Sequence, residues 1–216
     1  MALRIHQSLT RHRLQEIKSF ITHSRQGMTA MWKKFSGKHD KLIAGWPEDA
    51  IADYIDHIYD DIAMLRDESP QLLRHAHCMI VYGTFENSIG SLCRVVHLDG
   101  KITKPLPNSL HMSDVKGYLR PHIKTQPTPF AKDWDWMDEF RIIRNWMAHN
   151  GGKVQQDGDN WVNAKKFRRR NRGLIKFARF DEIIVEEELV DRALEKATRA
   201  TTTIEKAVEC LYVKPK

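Results

Sequence analysis

Two side chains that could act on a phosphodiester, Arg144 and His149, lie near the end of one predicted helix, with Asn145 between them. His149 can act as a general acid or base because a histidine side chain titrates near neutral pH. Arg144 can pair with non-bridging phosphate oxygens and stabilise the charge that develops on them. Asn145 could orient either the phosphate or the imidazole ring. These residue types suit attack of an RNA 2′-hydroxyl on its own phosphate, a reaction that needs no metal ion.

The position of the three residues gives the pattern its weight, because an arginine followed by a histidine is common in a chain with 11 histidines. Arg141, Asn145 and His149 are spaced by four and therefore share one helix face. The segment Asn150-Gly151-Gly152 then predicts a helix end that leaves His149 accessible. A capped and solvated helix end without catalytic function is the alternative interpretation.

Glu86 is a second candidate for this site. It lies within a strongly apolar predicted helix, where an unpaired carboxylate would be costly to bury. We therefore expect Glu86 to pair with Arg144 or with another arginine of the bundle, which would orient the site. A salt bridge of purely structural function is the alternative.

Positive charge concentrates in one run, Lys165-Lys166-Phe167-Arg168-Arg169-Arg170-Asn171-Arg172. Its six cations carry most of the formal net charge of +7, so polyanions are plausible partners. The residues that we expect to contact RNA are Lys165, Lys166, Arg168, Arg169, Arg170 and Arg172. Phe167 could stack on a base or pack against the protein. A merely solvated hairpin is the alternative for the run.

The elements that must position these residues are mostly helices. Apolar residues recur at helical spacing over 1–35, 47–66, 69–98, 133–149 and 186–211. Ser69-Pro70 predicts the start of the third helix, which is apolar on most sides and should be the most buried. Between residues 100 and 130, five prolines leave room only for a short helix around Ser113 to Leu119.

The predicted fold is a mainly α, antiparallel helical bundle with a small β-hairpin element between the motif helix and the C-terminal helix. Strand-like composition occurs at Trp161-Val162, at 174–180 and at 183–185. We therefore expect an N-terminal helical extension at 1–44 and a bundle at 45–212, with residues 153–185 forming a basic β appendage within it.

Other features narrow the class of protein. The N-terminus has no continuous apolar block, and no segment approaches the length of a membrane helix. Three scattered cysteines favour a reducing compartment, so we expect a cytoplasmic protein. His75, His77 and Cys78 lie on one apolar helix without a second pair of ligands, which favours core packing over a metal site. No metal and no cofactor is expected.

The ending Arg-Asn-x-x-x-His-Asn-Gly, on a late helix of a helical bundle, resembles the HEPN superfamily (higher eukaryotes and prokaryotes nucleotide-binding). Arg144, Asn145 and His149 match that family's motif position by position, and Tyr82-Gly83-Thr84-Phe85-Glu86 looks like part of an earlier helix of stand-alone prokaryotic members. The resemblance covers roughly residues 45–212. It implies a homodimer whose two motifs face one cleft and which cleaves RNA without a metal.

The same resemblance implies a toxin or a phage-defence effector, in some cases paired with an antitoxin. The alternative function is a non-catalytic RNA-binding or toxin–antitoxin interaction module, in which the basic run meets RNA or an acidic partner protein. Cleavage of RNA without a metal ion would distinguish the ribonuclease from the non-catalytic module.

Overall fold

The structure is a computed structural model that describes residues 1–123, 128–156, 158–178 and 181–213. Its helices are α1 (Ala2–Leu42), α2 (Glu48–His57), α3 (Tyr59–Ala63), a π-helix (Met64–Glu68), α4 (Ser69–Leu98), α5 (Met112–Leu119), α6 (Asp133–His149), α7 (Gly158–Arg170), α8 (Glu187–Glu209) and a final 3₁₀ turn (Cys210–Tyr212). Two strands, β1 (Ile175–Phe177) and β2 (Ile183–Val185), form an antiparallel hairpin. The predicted mainly α bundle with a small hairpin is confirmed. Within the described ranges, no helix is both long and apolar enough to cross a membrane.

Helix α4 is the centre of the bundle and packs against α1, α6 and α8. Its apolar residues point in most directions, as expected for a helix that is surrounded by others. Val81, Phe85, Ile89 and Leu92 are completely buried. The confirmed central position of α4 places Tyr82 and Glu86, which lie on this helix, against the motif helix α6.

The chain does not break before α4. Helix α3, the π-helix and α4 follow one another, and Ser69 has helical backbone angles. A serine caps a helix only when its own backbone lies outside the helix, so Ser69 is not an N-cap, whereas the predicted start of an α-helix at Ser69-Pro70 is confirmed. Pro70 is tolerated because the α-helix proper begins one residue earlier.

The basic run does not lie on strands. Helix α7 contains Lys165 to Arg170, and the strand predicted at Trp161-Val162 is wrong because both residues belong to this helix. Residues 153–185 therefore combine a helix with a hairpin, and the expected basic β appendage is corrected in that respect. In the hairpin, Ile175 pairs with Val185 and Phe177 with Ile183. Ala164 and Phe167 bury one face of α7, which leaves its cations on the other.

Candidate active site and basic groove

Helix α6 presents the motif because its opposite face is buried. Phe140, Ile143 and Met147 belong to the hydrophobic core, which agrees with the helical spacing of apolar residues predicted over 133–149. After His149 the chain leaves the helix through Gly151 and Gly152, whose φ angles are +60° and +79°. Only glycine adopts such angles readily, so the predicted helix stop is confirmed.

Gly152 is also required for space. A Cβ atom at this position would lie 2.8 Å from Cε1 of His75, much closer than van der Waals contact allows. The His75 ring is itself fixed, since its Nε2 lies 2.9 Å from the carbonyl oxygen of Ile183. The exit of the chain from α6 is therefore packed directly against α4 and β2.

Arg144 is held between two residues of α4. Its Nη2 atom lies 3.4 Å from Oε2 of Glu86, and both side chains are 20% exposed. Its guanidinium carbon lies 4.2 Å from the centre of the Tyr82 ring, a distance that gives a cation–π contact. The predicted pairing of Glu86 with an arginine of the bundle is confirmed, and the partner is Arg144.

Tyr82 contacts Arg144 through its aromatic ring, and its hydroxyl group stays uncharged. Burial raises the pKa of its hydroxyl, and the nearby carboxylate of Glu86 raises that pKa further. The phenol therefore stays protonated at neutral pH. Among the described residues its buried hydroxyl has no hydrogen-bond partner, so the Arg144 guanidinium is positioned by the Tyr82 ring face and the Glu86 carboxylate.

Sequence reasoning missed His111, which lies at the start of α5. Its Nδ1 atom is 3.4 Å from Oε1 of Glu86, the carboxylate oxygen that does not face Arg144. Glu86 thus contacts a cation and an imidazole at once, and the His111 side chain is 72% exposed. No periodicity or motif connects residue 111 to residue 86, because their contact arises only when the proline-rich segment folds back onto α4.

The remaining motif residues are accessible but are not gathered around Arg144. His149 is exposed, and Asn145 is half-buried on the same helix. Arg141 pairs with Asp138 of its own helix, with Nε 3.1 Å from Oδ1. Among the described residues, no hydrogen bond or ion pair joins His149 to Arg144. One chain therefore presents an anchored arginine and, further along the same helix, a free histidine.

Most side chains of the basic run line a groove of about 730 Å³ beside the hairpin. Arg170 does not line it and pairs with Glu139 instead. Lys176 of β1, which lies outside the predicted run, joins the groove. The cations that line it are Lys165, Lys166, Arg168, Arg169, Arg172 and Lys176.

Aromatic rings stand beside these cations. The rings of Trp161 and Phe177 have centroids 5.5 Å apart. Lys165 lies 5.0 Å from the Trp161 ring and Arg168 lies 5.2 Å from the Phe177 ring. Phe167, by contrast, is completely buried, so of its two predicted functions packing is confirmed and base stacking is wrong.

The groove is fixed to the motif helix. The buried Asn171 accepts hydrogen bonds through Oδ1 from Nε1 of Trp136, at 3.2 Å, and from Arg192, at 3.1 Å. The Trp146 ring of α6 contacts the Phe177 ring, with centroids 6.4 Å apart. Because Trp146 lies three residues before His149, the cations and the motif belong to one packed unit.

The predicted core residues His75, His77 and Cys78 lie on α4, in the core or beside it. His77 and Cys78 are buried, and His75 contacts the hairpin through Ile183. In the described part of the chain, no group of three His, Cys, Asp or Glu side chains is arranged to hold a metal ion. The expected core packing is confirmed for His77 and Cys78, whereas His75 is half-buried against β2.

No protein-family model, curated protein or solved structure matches this chain. The structure offers two candidate functional features. One is the Arg144, Glu86 and Tyr82 cluster below the end of α6, and the other is the basic groove along α7.

Proposed function

We propose that the protein is a metal-independent endoribonuclease of the HEPN type that cleaves RNA by attack of a 2′-hydroxyl on the adjacent phosphate. The observation that carries this proposal is the Arg144 guanidinium, held by Glu86 and the Tyr82 ring while one fifth of its side chain stays exposed. An arginine fixed in this way needs little reorganisation when it meets a phosphate.

The reaction divides between two residues. His149 takes the proton of the 2′-hydroxyl and later gives a proton to the departing 5′-oxygen, as an imidazole does in general acid–base catalysis. Arg144 neutralises the charge on the non-bridging oxygens. Asn145 orients the phosphate or the imidazole. The products are a 2′,3′-cyclic phosphate or a 3′-phosphate on one fragment and a 5′-hydroxyl on the other.

Two chains form the complete site in this proposal. His149 and Arg144 of one chain do not contact each other in the structure, whereas a homodimer with two α6 ends in one cleft would supply both residues from both chains. The basic groove would guide the RNA towards that cleft. Such an enzyme would act as a toxin or a phage-defence effector, and an antitoxin protein would be its natural inhibitor.

The test of this proposal is RNA cleavage in excess chelator, with the ends of the products identified. We expect cleavage to continue in chelator and to leave fragments whose 3′ ends block ligation until acid hydrolysis has opened any cyclic phosphate and a phosphatase has removed the resulting monoester. Activity that disappears in chelator and is restored by magnesium, with ordinary 3′-hydroxyl ends, would refute the proposal.

A second function, RNA binding without cleavage, is favoured by the groove itself. Its six cations and two neighbouring rings match the combination by which proteins hold single strands. The slope of log affinity against log salt concentration is negative, and on a single strand its magnitude should decrease by about 0.7 for each phosphate that the protein no longer neutralises. Alanine at all six groove cations should therefore weaken binding and flatten this slope, whereas Arg170→Ala, outside the groove, should change both little.

A further inference from the structure

A separate cavity of about 190 Å³ lies between α1, the π-helix, the first turns of α4 and Glu187 at the start of α8. It shares no lining residue with the basic groove or with the Arg144 cluster. Two polar atoms of its lining residues, Nδ1 of His77 and Nε of Arg74, are buried without a hydrogen-bond partner among the described residues. A third buried atom, Nε of Arg25, lies 3.8 Å from the carboxylate of Glu187, which also lines the cavity. A buried polar atom that nothing satisfies destabilises the folded protein. Their concentration around one cavity indicates an occupant.

The hydrogen bonds of Ser24 define the form of the His77 ring. The Ser24 hydroxyl lies 2.8 Å from the carbonyl oxygen of Phe20 and 3.1 Å from that of Ile21, and we assign its single proton to this backbone contact. With that assignment, Ser24 accepts the proton of His77 Nε2, which lies 2.8 Å away. Burial lowers the pKa of His77, and the charge of Arg25 lowers it further. The ring is neutral, and its Nδ1 is an unused acceptor.

Among the described residues, no side chain neutralises the positive charge of Arg74. Its Nη1 donates to the side-chain oxygen of Gln71 at 3.1 Å and to the carbonyl oxygen of Val185 at 3.2 Å. Within the described ranges, no carboxylate lies within ion-pair distance of Arg74, whereas Arg25 pairs with Asp191 at 2.7 Å. A half-buried guanidinium without a counter-ion is costly, so it favours an anionic occupant.

One side of the cavity is apolar, and polar side chains line the rest. Trp32 and Met28 of α1 face Leu73 of α4, and Leu65 of the π-helix completes this side. Arg66 of the same π-helix lines the cavity as well. Isolated π-helical turns occur frequently at functional sites, which fits a binding function for this end of the bundle.

We propose that this cavity binds a small planar organic anion, an aromatic or heteroaromatic ring that carries one carboxylate or phosphate and one ring N–H. The anion pairs with Arg74, the ring N–H donates to Nδ1 of His77, and the ring lies against Trp32. The volume equals the share of about six liquid water molecules, enough for one ring with its acid group. This site is independent of the proposed ribonuclease function.

The probes for this site are three acids with a ring N–H, each matched to its parent without the acid group. They are indole-2-carboxylate with indole, pyrrole-2-carboxylate with pyrrole, and orotate with uracil, and uridine 5′-monophosphate represents phosphates. Binding is measured on the full chain by saturation-transfer NMR and, where affinity permits, by calorimetry. We expect at least one acid to bind and its parent to bind on the order of tenfold more weakly, because the parent lacks the acid group that pairs with the charged guanidinium.

Three variants decide whether binding occurs in this cavity. Arg74→Met removes the charge, and Thr29→Trp fills the cavity from α1 without removing a buried polar group. Arg94→Met is the control, since Arg94 is an exposed arginine on the same helix. We expect the first two to abolish binding and the control to retain it. The proposal is overturned if no acid of the panel binds, or if binding survives both cavity variants.

Discussion

Replacing Glu86 with glutamine tests whether this carboxylate holds Arg144 in place. The change keeps the size of the side chain and removes its negative charge, so a guanidinium that is only 20% exposed loses its counter-ion. Removing one partner of a fully buried pair costs about 3–5 kcal/mol, whereas an exposed pair contributes about 0–1 kcal/mol.

The geometry places the expected cost between these limits. The Arg144–Glu86 distance of 3.4 Å is longer than that of a strong charge-assisted hydrogen bond, about 2.7–2.9 Å. Arg144 also keeps the Tyr82 ring beneath its guanidinium. We therefore expect Glu86→Gln to lower the free energy of unfolding by about 1–2 kcal/mol, which corresponds to a fall in Tm of about 2–8 °C for a chain of this size.

Urea unfolding followed by circular dichroism measures this cost. The matched control is Glu195→Gln on α8, where the carboxylate pairs with Arg199 at 3.1 Å but both side chains are more than half exposed. That change should cost less than about 0.5 kcal/mol. Arg144→Met completes a double-mutant cycle with Glu86→Gln. If Glu86→Gln destabilises no more than the control, the carboxylate does not position Arg144 and our account of the site is wrong.

Three further predictions concern the scaffold around the two sites. Gly152→Ala should lower the free energy of unfolding by about 2 kcal/mol or more, because alanine is strained at a left-handed φ and its Cβ would lie 2.8 Å from His75. Gly151→Ala should lower it by only about 1 kcal/mol, because it introduces the backbone strain alone. Urea unfolding of the two variants measures this difference. The free energy of unfolding should fall as the pH drops below 6.5, the pKa of a histidine in the unfolded chain, because the pKa of His77 is lower in the folded protein and the unfolded chain therefore binds its proton more readily. His77→Gln should remove this contribution, as measured by urea unfolding at pH 7.5 and at pH 5.5. Iodoacetamide at pH 8 should label one cysteine of the native protein by mass spectrometry and three after denaturation. The reactive thiol is the exposed Cys210, and burial protects Cys78 and Cys93 by raising their pKa to about 12.

The helical framework was predictable from the sequence because apolar residues recur at helical spacing along each long helix. Helix α6 is the clearest example, since the stripe through Phe140 and the stop at Gly151 are both local signals. The identity of α7 was not predictable in the same way. Its bulky residues Trp161 and Val162 have strand-like propensity, and packing of Phe167 against the core overrides that preference.

The candidate site was predictable only where one helix supplies the residues. Spacing along α6 relates Arg144 to His149, and the cost of a buried carboxylate predicts a partner for Glu86. The contact of Glu86 with His111 and the addition of Lys176 to the basic groove depend on long-range packing. The anion cavity is likewise invisible in the sequence, because its lining comes from α1, the π-helix, α4 and α8.

The central claim is that His149 transfers protons in a metal-independent cleavage of RNA. The most direct test is cleavage of end-labelled RNA in excess chelator by the wild type, by His149→Ala and by His12→Ala, all purified identically. His12 is a matched control because it is an exposed helical histidine on α1. We predict equal cleavage by the wild type and His12→Ala, and a loss of at least a hundredfold in His149→Ala, as expected for a general acid or base. Equal cleavage by all three proteins, or none by the wild type, would contradict the claim.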